Sequence, residues 1–427
     1  DEENTLVALV GAVFAERERE RHAGENLGVF LHQLVGVGEE AGHAQGTVEP
    51  GQVLIKMHAA SLNFRDLLVV TGQFPRVQQE VIIPLSDGAG EVVEVGSHVK
   101  TLKRGDRVTP LYCQSWMAGE MQDSDTAWSL GGCIDGVAAE YRTFEEMGVL
   151  KFPDHLSYEE AATLPCAGLT VWNSLHGPCP LAAGDTLLTL GTGGVSIHAL
   201  QMAHAAGAEV IVTSSSDEKL ARAKALGADH VINYVTTSDW DVAVREITGG
   251  RGVDHVIENG GGATLLRSIK STKRGGWIHI IGLIAPGEID PVHILLSGVT
   301  LRGKEVGSRE MFAAMNRSLS HSKIRPVVDK LFAFDHWFAR MGRFRDDDTI
   351  VSIFPKDQFA CCWCHGLCNC RKTRCATLFN IIEINHCGPW AVAIILNRFF
   401  IRSEGIKVLF EFLPGFIPLT LNWFGIK

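Results

Sequence analysis

Residues 184–219 constrain the fold of this chain more than any other stretch. They begin with an apolar run short enough for a buried strand, Thr186–Leu190, which continues into a glycine-rich turn. A segment with helical spacing of apolar residues follows and ends at Gly207, and a second apolar strand covers residues 209–213. Strand, glycine turn, helix and strand form the βαβ unit of a dinucleotide-binding fold.

The glycine turn has the composition that a pyrophosphate group needs. A pyrophosphate comes close to the backbone only where no Cβ blocks it, and the N–H groups and dipole of a helix start then hold its charge. Ser196 replaces the third glycine of the usual fingerprint, so helix–strand packing must accommodate a hydroxymethyl group. An αβ turn in another doubly wound protein is the alternative. The predicted pyrophosphate contacts are Gly191, Thr192, Gly193, Gly194 and Val195.

The end of the second strand predicts which dinucleotide binds. Enzymes that prefer NAD have an acidic residue there, which accepts a hydrogen bond from the ribose 2′-OH. Here residues 213–216 all carry hydroxyls and Lys219 follows, a set that suits a 2′-phosphate better than a diol. We therefore predict NADPH rather than NADH, with contacts from Ser214, Ser215 and Lys219. Alternatively, Ser216 only caps the next helix and Lys219 is solvated.

Length, charge and cysteine content exclude several classes of protein. The 427 residues suffice for two domains with a sizeable core. With 39 basic and 49 acidic residues the net charge is −10, which argues against a nucleic-acid or membrane-surface partner. The acidic start of the chain predicts no signal peptide and a cytoplasmic protein. Sparse cysteines before residue 360 fit a reducing compartment.

The pattern of the chain changes at several points. Residues 1–44 are atypical, with a solvated charge run. Over residues 45–160 short strands alternate with Gly and Pro turns, which predicts a mostly β, barrel-like domain with one strand over residues 136–144. Residues 161–300 alternate strands and helices, as in a doubly wound parallel sheet, so the predicted fold class is α/β. Residues 356–427 form an atypical Cys-rich and apolar tail.

Seven blocks of sequence between about residues 48 and 340 carry a family pattern. They are SLNFRDLLVVTGQF, PLSDGAGEVVEVGSHVKTLKRGDRV, LSYEEAATLPCAGLTVWNSL, GTGGVS, SSSDEKLARAKALGADHVINY, GRGVDHVIENGG and EVGSREMFAAMNRSL. In order and spacing they resemble the medium-chain dehydrogenase/reductase superfamily, in its zinc-independent quinone-oxidoreductase-like and zinc-type alcohol dehydrogenase-like branch. The resemblance implies a GroES-like catalytic domain completed by about residues 300–355, a Rossmann domain, hydride transfer with NAD(P)H in the cleft between them, and a homodimer.

The family pattern departs from zinc chemistry in this chain. A catalytic zinc needs three protein ligands and an open position. Where zinc-dependent relatives have Cys, His and a third ligand, this chain has Asn63, the run over residues 86–88 and Cys166. The partners of a four-cysteine structural lobe are also missing around Cys113 and Cys133. We predict no metal in the main body and interpret Cys166 as a small buried residue.

Without zinc, another group must polarise the substrate oxygen. Asn63 matches the family position that reaches nicotinamide and substrate, so its amide could donate to a developing oxyanion. Asp66 lies one helical turn later and is predicted to orient that loop, with a helix cap or an ion pair with Arg65 as its alternative role. His58 and Tyr112 are further candidates that could equally be structural, and the proton donor stays open, solvent included.

The resemblance also implies contacts along the cofactor. Thr170 matches the residue beneath the nicotinamide, and Tyr234 matches one near the 2′-phosphate. Asn259 lies in a glycine loop after a strand, where open sheets bind ligands, or it is only a turn residue. The other predicted contacts are Gly282, Leu283, Ser308 and Arg309.

The tail and the substrate leave several hypotheses open. Seven cysteines crowd residues 361–387 without paired CxxC arms at zinc-finger spacing, so we interpret the tail as foreign to the fold, with a metal module as the alternative. The leading function is an NADPH-dependent oxidoreductase that transfers hydride to or from a quinone, enone, aldehyde or alcohol. The alternatives are a dinucleotide-binding protein without turnover, an inactive aberrant gene product, and a zinc alcohol dehydrogenase.

Overall fold

A computed structural model describes residues 48–70, 72–74, 82–282, 285–333, 350–353, 396–402 and 405–410. The chain divides into two compact units, residues 1–358 and 359–427. The predicted N-terminal segment over residues 1–44 and most of the predicted tail lie outside the described residues.

The first unit contains a seven-stranded sheet. Its strands are β1 (Gln52–Leu62), β2 (Asp87–Val95), β3 (Arg107–Pro110), β4 (Tyr141–Glu145), β5 (Val149–Lys151), β12 (Lys330–Ala333) and β13 (Ile350–Ile353). Their order is β12-β13-β1-β2-β3-β5, and β4 also pairs with β1. The strand β13 lies within residues 350–354, where the family's closing strand was expected, and it pairs antiparallel with the end of β1.

The predicted strand over residues 136–144 is wrong in its first half, because β4 begins only at Tyr141. Upstream of β4, the N–H groups of Gly136 and Val137 donate to the carbonyls of Ile83 and Leu85. Leu85 has a left-handed backbone (φ 69°), which a regular β-ladder cannot continue. Residues 136–140 therefore follow an irregular loop instead of pairing as a strand.

Short helices connect this sheet to the rest of the unit. They are α1 (Phe64–Val70), α2 (Asp123–Thr126), a 3₁₀ turn (Glu146–Gly148), α3 (Tyr158–Ala162), a π-helical turn (Leu164–Gly168) and α4 (Leu169–Leu175). Ser157 with Glu160 three residues later predicts a capping box at the start of α3, and the structure confirms it: Ser157 Oγ accepts from the Glu160 N–H, and the Glu160 carboxylate accepts from the Ser157 N–H. These bonds satisfy two N–H groups that the helix itself leaves unpaired.

A six-stranded parallel sheet forms the other part of the unit. The elements in chain order are β6 (Thr186–Leu190), α5 (Gly194–Ala205), β7 (Glu209–Ser214), α6 (Asp217–Ala225), β8 (His230–Asn233), α7 (Trp240–Ile247), β9 (Val253–Glu258), α8 (Gly262–Ser271), β10 (Thr272–Ile280), α9 (Pro291–Ser297), β11 (Thr300–Gly303) and α10 (Arg309–Ser322). The strand order is β11-β10-β9-β6-β7-β8. The chain thus enters the sheet at its centre and winds outward in both directions, which confirms the predicted doubly wound α/β fold.

Apolar burial holds the parallel sheet between its helices. Every residue of β6 is buried, and Val210 and Val212 of β7 are fully buried against α5. A fully buried leucine or valine contributes roughly 1.5–3 kcal/mol relative to an exposed one. Because both faces of these strands are covered, they read as continuous apolar runs rather than alternating ones.

The second unit contributes one described hairpin. Strands β14 (Leu396–Arg402) and β15 (Gly405–Phe410) pair antiparallel, with Arg402 opposite Gly405. In the part of the chain that the structure describes, no helix has both the length and the apolar character needed to cross a membrane.

Candidate active site

The carboxyl ends of β6, β7 and β9 meet at one edge of the parallel sheet, at the point where the strand order reverses. Gly191 turns the chain there with φ 76°, a conformation that side chains rarely adopt. Gly193 is the N-cap of α5, and no side chain of the described residues caps this helix. Such a start presents N–H groups and a positive dipole to an anion, so this edge fits a dinucleotide pyrophosphate. The predicted contacts from Gly191 to Val195 all lie in this turn and the first turn of α5.

Ser196 and Asn259 fasten the turn from beneath. Ser196 is buried, and its Oγ donates to the Leu190 carbonyl at 2.7 Å, which explains how a serine replaces the third glycine. Asn259 Nδ2 donates to Ser196 Oγ at 2.9 Å. The geometry of Asn259 is therefore that of a structural residue beside the cofactor edge.

The hydroxyl residues after β7 lie at different depths. Ser214 is fully buried, and its Oγ accepts from the Ser216 N–H at 3.3 Å. Ser215 is exposed, and Ser216 caps α6 by accepting from the Lys219 N–H. Ser216 and Lys219 line a cavity of about 270 Å³, together with Thr192. The structure confirms the predicted cap at Ser216, and a contact of these residues with a 2′-phosphate stays a prediction.

The other predicted cofactor residues lie outside the lining of this cavity, and their cofactor contacts stay predictions. Thr170 is buried and donates to the Cys166 carbonyl, and Tyr234 is 41% exposed. Ser308 caps α10 by accepting from the Met311 N–H, and Arg309 Nε donates to the Met147 carbonyl. The N–H of Gly282 donates to the carbonyl of Glu258 at the end of β9, and Leu283 lies outside the described residues.

A buried carboxylate, Asp87, joins β2 to the π-helical turn Leu164–Gly168. Its Oδ1 accepts from Ser86 Oγ at 2.7 Å and its Oδ2 accepts from the Cys166 N–H at 2.9 Å. Cys166 lies in the π-helical turn, whose altered hydrogen bonding leaves this N–H free to face Asp87. Burial raises the pKa of Asp87 to about 7, so the carboxyl is close to half protonated at neutral pH.

A second buried carboxylate, Asp66, holds the start of α1. Its Oδ2 accepts from the Asn63 N–H at 2.9 Å, and its Oδ1 lies 3.4 Å from Arg65 Nη1. Burial raises the pKa of Asp66 to about 6, against the opposing effect of Arg65. The structure thus gives Asp66 both roles that the sequence left as its alternative, a helix cap and an ion pair. Asn63 Nδ2 is buried without a hydrogen-bond partner in the described chain.

Arg65 is the functional candidate that sequence reasoning missed. It is 9% exposed, and its Nη1 donates to the Leu130 carbonyl at 2.7 Å. Its guanidinium carbon lies 4.8 Å from the Phe74 ring centre and 5.0 Å from that of Tyr112. Burial raises the pKa of Tyr112, which favours its neutral form. The available signal was a single arginine inside the apolar run of α1, at a position that faces the core.

The donor chemistry near Asn63 does not fit a catalytic zinc. Zinc needs several thiolate, imidazole or carboxylate ligands, whereas Cys166 supplies one thiol and the Asn63 amide is not one of these ligand types. The Ser86 hydroxyl is already bound to Asp87. In the described part of the chain, no group of three His, Cys, Asp or Glu side chains could hold a metal ion.

Known proteins share both halves of this architecture. Residues 49–154 match the family described as alcohol dehydrogenase GroES-like domain, and residues 194–321 match the family described as zinc-binding dehydrogenase. A zinc-type alcohol dehydrogenase-like protein of Schizosaccharomyces pombe is 44% identical over 296 residues, which cover 67% of this chain and 86% of that protein. An acryloyl-coenzyme A reductase of Metallosphaera sedula is 32% identical over 290 residues, 65% of this chain and 84% of the reductase. A solved NAD-dependent alcohol dehydrogenase superposes with a TM-score of 0.65 at 30% identity, covering 72% of this chain and 93% of the other.

Proposed function

This chain belongs to the medium-chain dehydrogenase/reductase superfamily as a zinc-type alcohol dehydrogenase-like member, and from that premise we propose an NADPH-dependent oxidoreductase that works without catalytic zinc. Its substrate is a quinone, enone, aldehyde or alcohol. The observation that carries the proposal is the set at Asn63, Ser86 and Cys166, which offers an amide, a bound hydroxyl and a single thiol instead of a set of zinc ligands.

The choice of dinucleotide rests on the residues after β7. No acidic side chain ends this strand, and Ser216 and Lys219 line the cavity beside it. A serine hydroxyl and a lysine suit the charge of a 2′-phosphate. The solved relative named above is NAD-dependent, so the two coenzymes must be compared directly on this chain.

The proposed chemistry assigns separate tasks to the residues of the cleft. NADPH held at the β6–α5 turn would supply a hydride to a substrate carbon, and the substrate would take up one proton. Asn63 Nδ2 donates to the oxygen on which negative charge develops, because it is buried and has no acceptor among the described residues. Asp66 fixes Asn63 through the backbone and positions that amide.

We further propose that a second copy of this chain completes the oligomer. The strand β11 ends the six-stranded sheet and pairs with β10. On the preceding helix, α9, Leu295 and Leu296 are 74% and 67% exposed. Apolar side chains beside a sheet edge suit a self-complementary contact. Light scattering of the wild type and of Leu296→Glu would then show a dimer and a monomer. Cys113 and Cys166 are not in disulfide bonds, which suits a cytoplasmic location.

The function is tested by coenzyme binding and then by turnover. Quenching of tryptophan fluorescence gives the Kd of NADPH and of NADH, and NADPH oxidation is then followed with a panel of quinones, enones and aldehydes. We expect tighter binding of NADPH and activity that survives dialysis against a chelator. Equal or tighter NADH binding would contradict the coenzyme proposal. Activity lost with the chelator and restored by zinc would contradict the metal-free proposal, and coenzyme binding without turnover would indicate a non-catalytic protein.

A further inference from the structure

The guanidinium of Arg65 is enclosed by aromatic rings, a glycine and a backbone carbonyl. The side chain is nine-tenths buried, with the rings of Phe74 and Tyr112 against its charged head. Gly132 leaves room for this head, because a Cβ at that position would overlap Arg65 Nη2. The bond from Nη1 to the Leu130 carbonyl fixes the orientation of the planar group.

One edge of this guanidinium has no acceptor. Nε and Nη2 are inaccessible to solvent and have no hydrogen-bond partner among the described residues. These two atoms form a single side of the planar group, and their N–H bonds run parallel. A buried charged donor without an acceptor is strongly unfavourable, so an unoccupied pair on one edge points to a ligand with two oxygen atoms.

The two described carboxylates nearest to Arg65 do not satisfy this edge. Asp66 uses Oδ2 for the Asn63 N–H and Oδ1 for Arg65 Nη1, on the other side of the guanidinium. Asp87 uses one oxygen for Ser86 and the other for the Cys166 N–H. The acceptor therefore has to come from outside the described chain. Asn63 Nδ2 is a second buried donor without a partner, at the start of the same helix.

We propose that the Nε–Nη2 edge of Arg65 binds a carboxylate group of the substrate, so that the substrates are carbonyl or enone compounds that also carry a carboxylate. The planar fork of an arginine matches the two oxygens of a carboxylate in distance and direction. The inference rests on the proposed function, because it assigns the two ends of one substrate to two residues. Arg65 binds the carboxylate, and Asn63 donates a hydrogen bond to the reacting oxygen.

Turnover of a matched substrate pair tests the proposal. The probes are 4-oxopent-2-enoate and its methyl ester, which have the same enone and differ in charge. In Arg65→Gln we expect the ratio of kcat/KM for acid over ester to fall about 100-fold, because one fork-shaped charged contact is lost. Arg65→Lys keeps the charge but not the fork, and the expected fall is about 10-fold.

Arg107→Gln is the matched control. Arg107 also lies over two aromatic rings, Phe152 and Tyr158, but its Nη2 donates to the Leu156 carbonyl. This variant loses a half-buried arginine that packs on aromatic rings without touching the proposed site, so the acid-to-ester ratio should not change. A similar fall in Arg107→Gln and Arg65→Gln would overturn the proposal, as would an unchanged ratio in Arg65→Gln.

Binding without turnover separates this proposal from the proposed function. Saturation-transfer NMR on the NADPH-loaded protein compares propionate with propionamide, which differ only in the anionic group. We expect propionate to bind and its signal to disappear in Arg65→Gln and in Gly132→Ala, which displaces the guanidinium but keeps it. If no carbonyl compound is turned over and propionate still needs Arg65, the proposed function fails and the anion site stands. Equal binding of propionate and propionamide, or propionate binding that Arg65→Gln retains, overturns the site.

Discussion

The β6–α5 turn and the cluster around Asp87 differ in how they treat buried polar groups. Beneath the turn two buried hydroxyls have partners close in sequence: Ser196 bonds the Leu190 carbonyl six residues away, and Ser214 bonds the N–H of Ser216. Around Asp87 the bonds join distant segments, such as Asp87 with Cys166, 79 residues apart. There, Asn63 and Arg65 have buried donors for which the described residues provide no acceptor.

This difference indicates two ways of preparing a binding site. The turn offers backbone N–H groups held by short local contacts, and it needs no side-chain donor that stays unpaired until a ligand binds. The Asp87 cluster holds its side chains by long-range contacts and leaves selected donors unpaired, at a cost in folding stability. Stability should therefore respond most to changes around Asp87, whereas coenzyme affinity should respond to changes after β7.

The largest effect is expected for Asp87→Ala. The change leaves Ser86 Oγ and the Cys166 N–H without their acceptor in a buried site, which should lower the free energy of unfolding by about 3 kcal/mol. Asp87→Asn keeps one acceptor oxygen and should cost about 1 kcal/mol. Urea denaturation of the three proteins checks this. Equal losses in the free energy of unfolding for Asp87→Ala and Asp87→Asn would show that the hydrogen bonds at Asp87 do not stabilise the fold.

The dependence of stability on pH is expected to be nearly as large. The pKa of Asp87 is about 7 in the folded protein and near 3.8 in the unfolded chain, so the folded state binds more protons between these values. Stability should therefore fall as the pH rises, by about 3 kcal/mol from Asp87 between pH 5 and pH 8. Urea midpoints at both pH values, in the wild type and in Asp87→Asn, measure it. Asp66, with a pKa of about 6, lowers the stability by a smaller amount over the same pH range in the wild type and in Asp87→Asn. If the two proteins lose the same stability between pH 5 and pH 8, Asp87 does not titrate in that range.

A moderate effect is expected for the coenzyme cavity. Lys219→Glu places a negative charge beside Ser216 and should weaken NADPH binding about 30-fold, equivalent to about 2 kcal/mol, with little change for NADH. Lys224→Glu, exposed on the same helix, is the control and should leave both affinities unchanged. Equal losses of affinity for NADPH and NADH in Lys219→Glu would show that the 2′-phosphate does not bind in this cavity.

The smallest effect is expected beneath the turn. Ser196→Ala removes the bond to Leu190 and the acceptor of Asn259 Nδ2, so the free energy of unfolding should fall by about 1.5 kcal/mol. Ser174→Ala removes one buried bond, from Ser174 Oγ to the Thr170 carbonyl, and should cost about half as much. If Ser196→Ala lowered the free energy of unfolding more than Asp87→Ala, the turn and not the cluster around Asp87 would be the region on which stability depends most.

The parts of the molecule that sequence predicts are those determined within a few residues. The β6–α5–β7 unit, the Ser157 capping box and the Ser216 cap follow from local periodicity and hydrogen bonding, and the structure confirms them. Asn63 and Asp66 were identified from the family pattern, and their catalytic roles stay predictions. The place of Arg65 could not be predicted, because Leu130, Gly132 and Tyr112 reach it only through the tertiary fold. The irregular path over residues 136–140 depends in the same way on Leu85.

The π-helical turn Leu164–Gly168 has a further consequence for how one helical segment serves two sheets. A π turn contains one more residue than the α-helical turn it replaces, and each residue of an α-helix advances about 100° around the axis. The faces of α3 and α4 are therefore rotated relative to each other, so that α3 packs on β1 and β2 while α4 packs on α5 and α10. Deleting a single residue from this turn would restore an unbroken helix and rotate one face away from its neighbours. The cleft thus depends on a one-residue insertion, and length is constrained there as strictly as composition.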